Sequence, residues 1–361
     1  CIPAFAQKQL PNIIVMLSDD QGWGDLGFTG NTFVQTPNID RIAHEGTILE
    51  NFYVCPVSSP TRAEFLTGRY HVRSCVNSTT GGGERFNLGE KTIAEYFREA
   101  GYATSLFGKW HSGTQYPYHP NARGFEEFYG FCSGHWGNYW NPVLEHNGEI
   151  ISGEGFIIDD LTDKALDYIR DHKEHPFFMF LSYNTPHSPM QVPDSWWNRV
   201  KDRTLSQRAT FPEQEDTTFT KAALALAENL DWNIGRVLSL LHSLDLEQET
   251  IVIYFSDNGP NSFRWNGGMK GRKGSTDEGG VRSPFCIRWP GHIRKGAVET
   301  QLSGAIDLIP TLLGLAGIEY TPLRKLDGID WGQRLLDEKA PAIDRVLYSY
   351  WGGKTSVRIS Y

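Results

Sequence analysis

The stretch Asn12-Ile13-Ile14-Val15-Met16-Leu17-Ser18-Asp19-Asp20-Gln21-Gly22-Trp23-Gly24 decides the fold class. Its first six residues are a short, largely apolar run rich in β-branched side chains, which stops abruptly at two carboxylates and a glycine-rich turn. A run without polar alternation is what a strand buried on both faces of a parallel sheet requires. Three later segments repeat it. Residues 103–107 precede Gly108-Lys109, residues 177–183 precede Asn184-Thr185-Pro186-His187, and residues 250–255 precede Ser256-Asp257-Asn258-Gly259. Helical patterns fall between them, over 38–45, 92–100, 158–172 and 220–244, the last with apolar residues at three- and four-residue spacing. Strands alternating with helices predict a doubly wound α/β domain on a mixed, mostly parallel sheet flanked by helices.

Ligands of open α/β sheets bind beyond the carboxyl ends of the strands. Asp19, Asp20, Lys109, His111, His187, Asp257 and Asn258 all follow predicted strands, so they are expected on one rim. Residues 76–90, with Gly81-Gly82-Gly83, read as a long surface loop, and 191–214 as an irregular excursion over the active face.

At 361 residues the chain can hold one large core with a small appendage. No apolar run approaches the roughly 20 residues that span a bilayer. The formal net charge of −9 argues against a nucleic-acid partner. Five cysteines, Cys1, Cys55, Cys75, Cys132 and Cys286, form no Cys-x-x-Cys pair, so neither a zinc site nor a disulfide framework is indicated. Residues 1–6 end in Ala4-Phe5-Ala6, the small-x-small pattern that precedes a signal-peptidase cut. They predict a periplasmic or secreted protein, with a lipid anchor on Cys1 as the alternative.

Two adjacent carboxylates at a strand end, Asp19 and Asp20, can aim at one point, where they repel each other unless a cation lies between them. With Asp257-Asn258 after another strand they offer a hard oxygen cage suited to Ca2+ or Mg2+. The second element runs Cys55-Pro56-Val57-Ser58-Ser59-Pro60-Thr61-Arg62 and on to Leu66-Thr67-Gly68-Arg69. A proline-restricted turn there leads into a short amphipathic helix, and Ser58 sits at its approach, where free N–H groups and the helix dipole favour negative charge.

This segment resembles the signature of the formylglycine sulfatases: Cys or Ser, x, Pro, x, Arg, followed by Leu-Thr-Gly-Arg. The family's other landmarks occur in order: Asp19-Asp20-x-Gly-x-Gly-Asp25, Gly108-Lys109-Trp110-His111, Thr185-Pro186-His187-x-Pro189, Asp257-Asn258-Gly259 and Gly271-x-Lys273-Gly274-x-x-x-Glu278-Gly279-Gly280. The resemblance covers nearly the whole chain. It implies that Ser58 is oxidised to Cα-formylglycine by a maturase of the radical type that acts on serine. It implies one Ca2+ held by Asp19, Asp20, Asp257, Asn258 and residue 58. The hydrated aldehyde would attack sulfur with one hydroxyl and release sulfate with the other. Arg62 would hold the nucleophile, Lys109 and Lys273 would neutralise the sulfate oxygens, His187 would protonate the leaving oxygen, and His111 would assist breakdown of the sulfated enzyme. Lys270 and Arg272 lie close to Lys273, and motif spacing selects Lys273 as the inward cation.

The expected substrate is a sulfated carbohydrate, a sulfated galactose or N-acetylhexosamine. His135-Trp136 and the Arg264-Trp265-Asn266 loop combine aromatic faces with hydrogen-bonding heads, as sugar subsites do. One alternative is a phosphatase or phosphonate hydrolase of the same superfamily, in whose place of a second metal this chain has Lys109 and Lys273. Another is a non-catalytic sulfoglycan-binding protein with unmodified Ser58. Related sulfatases carry a small antiparallel C-terminal sheet, and residues 345–350 and 356–361 read as its opening strands. The expected division is thus a signal remnant at 1–6, a catalytic domain at 7–330, and an incomplete C-terminal subdomain from 331 to 361.

Overall fold

The apolar run that opens the chain forms β1 (Asn12–Ser18), and all seven of its residues are buried. The structure, a computed structural model, describes residues 10–360, so the expectations for residues 1–6 and Cys1 lie outside the described residues. In chain order the further strands are β2 (Thr47–Leu49), β3 (Phe52–Tyr53), β4 (Ala103–Lys109), β5 (Glu127–Phe131), β6 (Val143–His146), β7 (Glu149–Ser152), β8 (Phe177–Ser182), β9 (Thr250–Ser256), β10 (Phe285–Arg288), β11 (Ala297–Glu299), β12 (Ser303–Gly304), β13 (Val346–Trp351) and β14 (Lys354–Ile359). The helices are α1 (Pro37–Glu45), α2 (Ser58–Thr67), α3 (Ile93–Glu99), α4 (Ile157–Asp171), α5 (Asp194–Val200), α6 (Thr217–Ser243), α7 (Glu278–Val281), α8 (Leu308–Ala316) and α9 (Gly332–Leu336).

Ten strands make one sheet in the order β11-β2-β10-β9-β1-β8-β4-β5-β6-β7. Its centre is parallel: β1 pairs with β8 and β9, and β4 with β8 and β5. Antiparallel pairs appear outside it, at β10–β9, β10–β2, β5–β6 and β6–β7. Alternate residues of β1 enter different cores. Ile13, Val15 and Leu17 pack with Phe65 of α2, Phe97 of α3 and Leu312 of α8. Ile14 and Met16 pack with Ile42 of α1, Leu161 of α4 and Leu230 of α6. Both faces of the central strands are therefore covered by helices, the doubly wound arrangement expected, and each fully buried Ile, Leu or Phe contributes about 1.5–3 kcal/mol.

The helix expectations hold to within a few residues, and Thr92 caps α3 in a reciprocal capping box with Glu95. The start of α1 is different: Thr36 gives no side-chain cap. Asp231 of α6 takes that role, accepting from the N–H groups of Asn38 (2.9 Å) and Ile39 (2.8 Å) and from Asn38 Nδ2 (2.8 Å). Burial pushes the Asp231 carboxyl up to about 7 despite these donors.

Two expectations are corrected. The helix after Ser58 is not amphipathic, because all ten residues of α2 are buried; its polar side chains bond to distant segments instead of meeting water. The excursion at 191–214 contains a helix, α5, rather than irregular chain alone. Residues 76–90 do form a loop, anchored by the buried side chains of Val76 and Phe86.

At the C-terminal end β13 and β14 form a separate antiparallel pair, the small sheet expected there. It is tied to the main body by His71, whose Nε2 lies 3.0 Å from the Tyr350 carbonyl, and by Arg358, which bonds Glu278 at 3.0 Å. Trp331 and Leu335 pack in the same core as α2 and α8. Among the described residues Cys55, Cys75, Cys132 and Cys286 are free thiols, and no helix is long and apolar enough to cross a membrane.

Candidate active site

Val57 delivers the chain in extended conformation to α2, at φ −143°, with Ser58 as the first helical residue. Thr61 fixes this entry by accepting from Cys55 N–H at 2.8 Å and donating to the Asp257 carbonyl at 2.6 Å. Ser58 is 3% exposed. Its Oγ lies 3.1 Å from Asp19 Oδ1 and 3.2 Å from Asn258 Oδ1, and Asn258 Nδ2 donates to Asp20 Oδ1 at 2.8 Å. The ends of β1 and β9 and the start of α2 thus meet at one point, as strand-end placement predicts.

Three cations interleave with three buried carboxylates. Lys109 Nζ is 2.5 Å from Asp19, Lys273 Nζ is 2.5 Å from Asp20, and Arg62 is 3.0 Å from Asp257. Arg62 also donates to the Lys109 carbonyl at 3.0 Å and to Ser182 Oγ at 2.6 Å, which locks α2 to β4 and β8. Burial raises the pKa of Asp19, but Lys109 and then His187, Arg62 and Lys273 outweigh it and hold the carboxyl well below the usual range. Asp257 goes the other way: burial and repulsion from Asp19 push it up to about 6 in spite of Arg62. Burial lowers the Lys109 pKa against the attraction of Asp19, whereas Asp20 and Asp19 raise that of Lys273 against burial.

Carboxylate repulsion in a dry pocket is what a bound divalent cation relieves. The donors present, carboxylates, an amide oxygen and a hydroxyl, are the hard oxygen set that Ca2+ and Mg2+ take. Oxygens of Asp19 and Asp20 and a His187 ring nitrogen lie within 4.8 Å of one another, so the residues fit a hard cation.

The histidines differ in state. His111 is buried and neutral, because burial and then Lys109 hold its pKa well below the usual value. Its Nε2 bonds the Thr79 carbonyl at 2.8 Å, and its Nδ1 has no partner. His187 lies on the rim with Nδ1 2.8 Å from the Ser188 carbonyl and Nε2 3.6 Å from Asp20 Oδ2. His135 is exposed, with its ring 5.3 Å from that of His187, and Trp136 stacks on Phe131 at 5.0 Å. Burial, then His187, lowers the His135 pKa.

The expectation for Arg264 as a sugar contact is overturned. Its side chain is buried, with Nε at 2.9 Å from Asp25, NH2 at 2.8 Å from the Asp20 carbonyl, and NH1 on Asn261 and Ser262. Asp25 in turn accepts from Gly22 N–H at 2.7 Å. The pair braces the Asp19-Asp20 turn from beneath, where Asp20 holds φ +64°. Trp265 packs by the same turn: its carbonyl leaves no room for a Cβ on Gly24. Of the three cations in the Lys273 loop, Lys273 points inward, Lys270 pairs with Asp277 at 3.1 Å, and Arg272 lies over the Phe263 ring. Sequence reading gave no role to Ser182 and Asn184 at the end of β8, and named Thr185 only as part of a motif. The buried side chains of Asn184 and Thr185 have polar atoms without partners, and the signal for Asn184 was only its place after a strand.

The sequence profile of the Sulfatase family matches residues 11–318. The chain is 32% identical to N-acetylgalactosamine-6-sulfatase of Mus musculus, across 97% of this chain and 70% of that protein. Its fold is similar to the crystal structure of Ps i-CgsB in complex with k-i-k-neocarrahexaose, with a TM-score of 0.86 and 30% identity over 97% of this chain and 82% of that one. It is also similar in fold to the phosphonate monoester hydrolase of Agrobacterium radiobacter, at a TM-score of 0.70 and 19% identity, over 94% of this chain and 80% of that one. A profile match across the whole doubly wound domain, joined to a rim of three acids and three cations around Ser58, makes this chain a member of the sulfatase family, the hydrolases of sulfuric esters.

Proposed function

We propose that this sulfatase removes a sulfate ester from a carbohydrate, a sulfated galactose or N-acetylhexosamine, with a formylglycine formed from Ser58 as nucleophile and one Ca2+ at Asp19, Asp20, Asp257, Asn258 and residue 58. The observation that carries this reading is the position of Ser58 Oγ, 3.1 Å from Asp19 and 3.2 Å from Asn258 at the buried start of α2. When present, the cation would favour the ionised form of a ligating hydroxyl, and a hydrated aldehyde would supply one hydroxyl to attack and another to release sulfate.

The chain's own residues do the rest. Arg62 holds Asp257 in place, opposes the rise of its pKa, and cannot itself be deprotonated. Lys109 and Lys273 flank the nucleophile from β4 and from the loop after β9, where two ammonium groups can neutralise the sulfate oxygens as charge moves to the leaving oxygen. With Nδ1 bonded to the Ser188 carbonyl, His187 turns Nε2 to the rim, and it serves as the acid for the leaving oxygen. His111, neutral with an unpartnered Nδ1, can accept a proton and serves the release of sulfate. The ammonium groups that pair with Asp19 and Asp20 support a single-cation site over the two-metal site of a phosphatase.

The relatives support a carbohydrate substrate: one is named for N-acetylgalactosamine 6-sulfate, and the other holds a neocarrahexaose. Two measurements test the proposal. Mass spectrometry of the peptide containing residue 58 from the native host is expected to show formylglycine, and unmodified serine would leave a binding protein instead. The matured enzyme is expected to release sulfate from a monosulfated sugar in a panel of galactose and hexosamine sulfates, with Ca2+ and not Zn2+ restoring turnover after chelation. Turnover of small aryl sulfates alone would defeat the carbohydrate reading.

A further inference from the structure

Two adjacent serines open α2, and their hydroxyls go to different places. Successive residues of a helix point about 100° apart. Ser58 turns its Oγ to Asp19 and Asn258. Ser59 is fully buried and donates its hydroxyl to the Ser78 carbonyl at 2.9 Å, in the glycine-rich loop over 76–90. The next carbonyl along, that of Thr79, accepts from His111 Nε2 at 2.8 Å. The loop is closed on itself here: Asn77 and Ser78 N–H both donate to the Gly83 carbonyl, at 2.9 and 3.2 Å, and Gly83 N–H donates to the Thr80 carbonyl at 3.3 Å. Ser78 and Thr79 therefore belong to one turn, and Ser59 ties that turn to the helix that carries Ser58.

His111 has little freedom of its own. It is buried, holds φ +60°, and donates its N–H to the Cys132 carbonyl at 3.2 Å. Its ring lies against Gly134, where there is no room for a Cβ. A carbonyl oxygen cannot donate, so the Thr79 contact puts the ring proton on Nε2. The ring is neutral, as burial and Lys109 require, so Nδ1 keeps a bare lone pair, and it is buried without a partner. What decides between the two neutral tautomers is the Thr79 carbonyl. With the proton on Nδ1 instead, that atom has nothing with which to accept another.

We propose that Ser59 is a positioning residue for His111: through the Ser78–Thr79 turn its hydroxyl holds the imidazole as the Nε2–H tautomer and leaves Nδ1 free to take a proton when sulfate is released. The proposal rests on the role given to His111 above and adds a residue that touches neither substrate nor the reacting atoms. One helix start then serves both halves of the reaction, the nucleophile through its first residue and the base through its second.

The first arm of the test uses the full chain with Ser58 unmodified and its 11 histidines labelled with nitrogen-15. Long-range proton–nitrogen correlation reads the His111 tautomer, with His111→Gln identifying the signal by its loss. Wild type is expected to give the Nε2–H tautomer alone, Ser59→Ala a mixture of both, and Ser59→Thr, which keeps the hydroxyl, the single one again. The second arm uses matured enzyme, normalised to its formylglycine content by mass spectrometry, on a sulfated sugar that wild type turns over. A base that acts only in sulfate release changes kcat and KM by the same factor. Ser59→Ala should therefore lower both about tenfold, the weight of one hydrogen bond, and leave kcat/KM within about twofold of wild type. A single tautomer in Ser59→Ala, both tautomers in Ser59→Thr, an unchanged kcat, or a fall in kcat/KM as large as that in kcat overturns the role of Ser59. If wild type cleaves no sulfate ester, or if His111→Gln keeps the wild-type kcat, the reading of the site falls instead, and the first arm still decides whether Ser59 sets the tautomer.

Discussion

Buried carboxylates occur in two settings in this molecule, and they are satisfied in opposite ways. At the junction of α1 and α6, Asp231 is met by backbone N–H groups and one amide, dipoles that cannot move away. At the rim, Asp19, Asp20 and Asp257 are met by the ends of Lys109, Lys273 and Arg62, full charges on side chains. Fixed dipoles suit a carboxylate whose task is to hold two helices together. Full charges suit a site where charge arrives, moves and leaves with a substrate, the role proposed for them above. The contrast separates a group that supports the fold from the groups proposed above to support the reaction.

The largest effect should come from removing a rim cation. Lys109→Met is expected to lower kcat by about 10² to 10³, the usual weight of one donor aimed at developing charge, with far-UV circular dichroism unchanged. A loss of stability as large as the loss of rate would erase the distinction between the regions. Next, Ca2+ at a hundred times its dissociation constant should stabilise the wild type by about 2.7 kcal/mol in thermal unfolding, and Asp20→Asn should abolish that increment. The increment should survive intact in any Asp231 variant. Asp231→Leu, which leaves the first N–H groups of α1 unpartnered, should cost about 1–3 kcal/mol in urea unfolding while the turnover of folded enzyme stays the same.

The smallest effect is a pH dependence. Asp231 has its pKa raised from 3.8 to about 7, so the folded chain holds this proton more tightly than the unfolded chain. Its contribution to stability is complete below pH 3.8 and is lost as pH rises to about 7. Relative to wild type, Asp231→Asn should flatten the fall in unfolding midpoint across that window. Identical slopes in the two proteins would show that the Asp231 carboxyl is not raised in the folded chain.

Much of the rim was legible because strand ends and short motifs lie together in sequence. Asp19-Asp20, Lys109 and Asp257-Asn258 each follow an apolar run, and the sheet order then brings β1, β4 and β9 within a few strands of one another. What could not be read depends on partners far along the chain. The cap of α1 comes from a residue 193 positions away, and nothing near Thr36-Pro37 announces it. The burial of α2 was hidden by Ser59, Thr61 and Arg62, polar residues that suggest an exposed face until their acceptors elsewhere in the chain are known. Arg264 had the composition of a sugar contact, and only the geometry shows its donors shared between the turn below and its own loop.

The burial of Ser58 also sets a schedule. Its Oγ is closed in by Asn258, 200 residues later in the chain. At roughly 5–20 residues per second of synthesis, that interval is on the order of 10–40 s. During it the serine has left the ribosome but the strand that will cover it does not yet exist. On the reading proposed above, an enzyme that alters Ser58 would work against a clock set by the position of β9, and slowing translation between residues 58 and 258 should raise the fraction of chains it reaches in time.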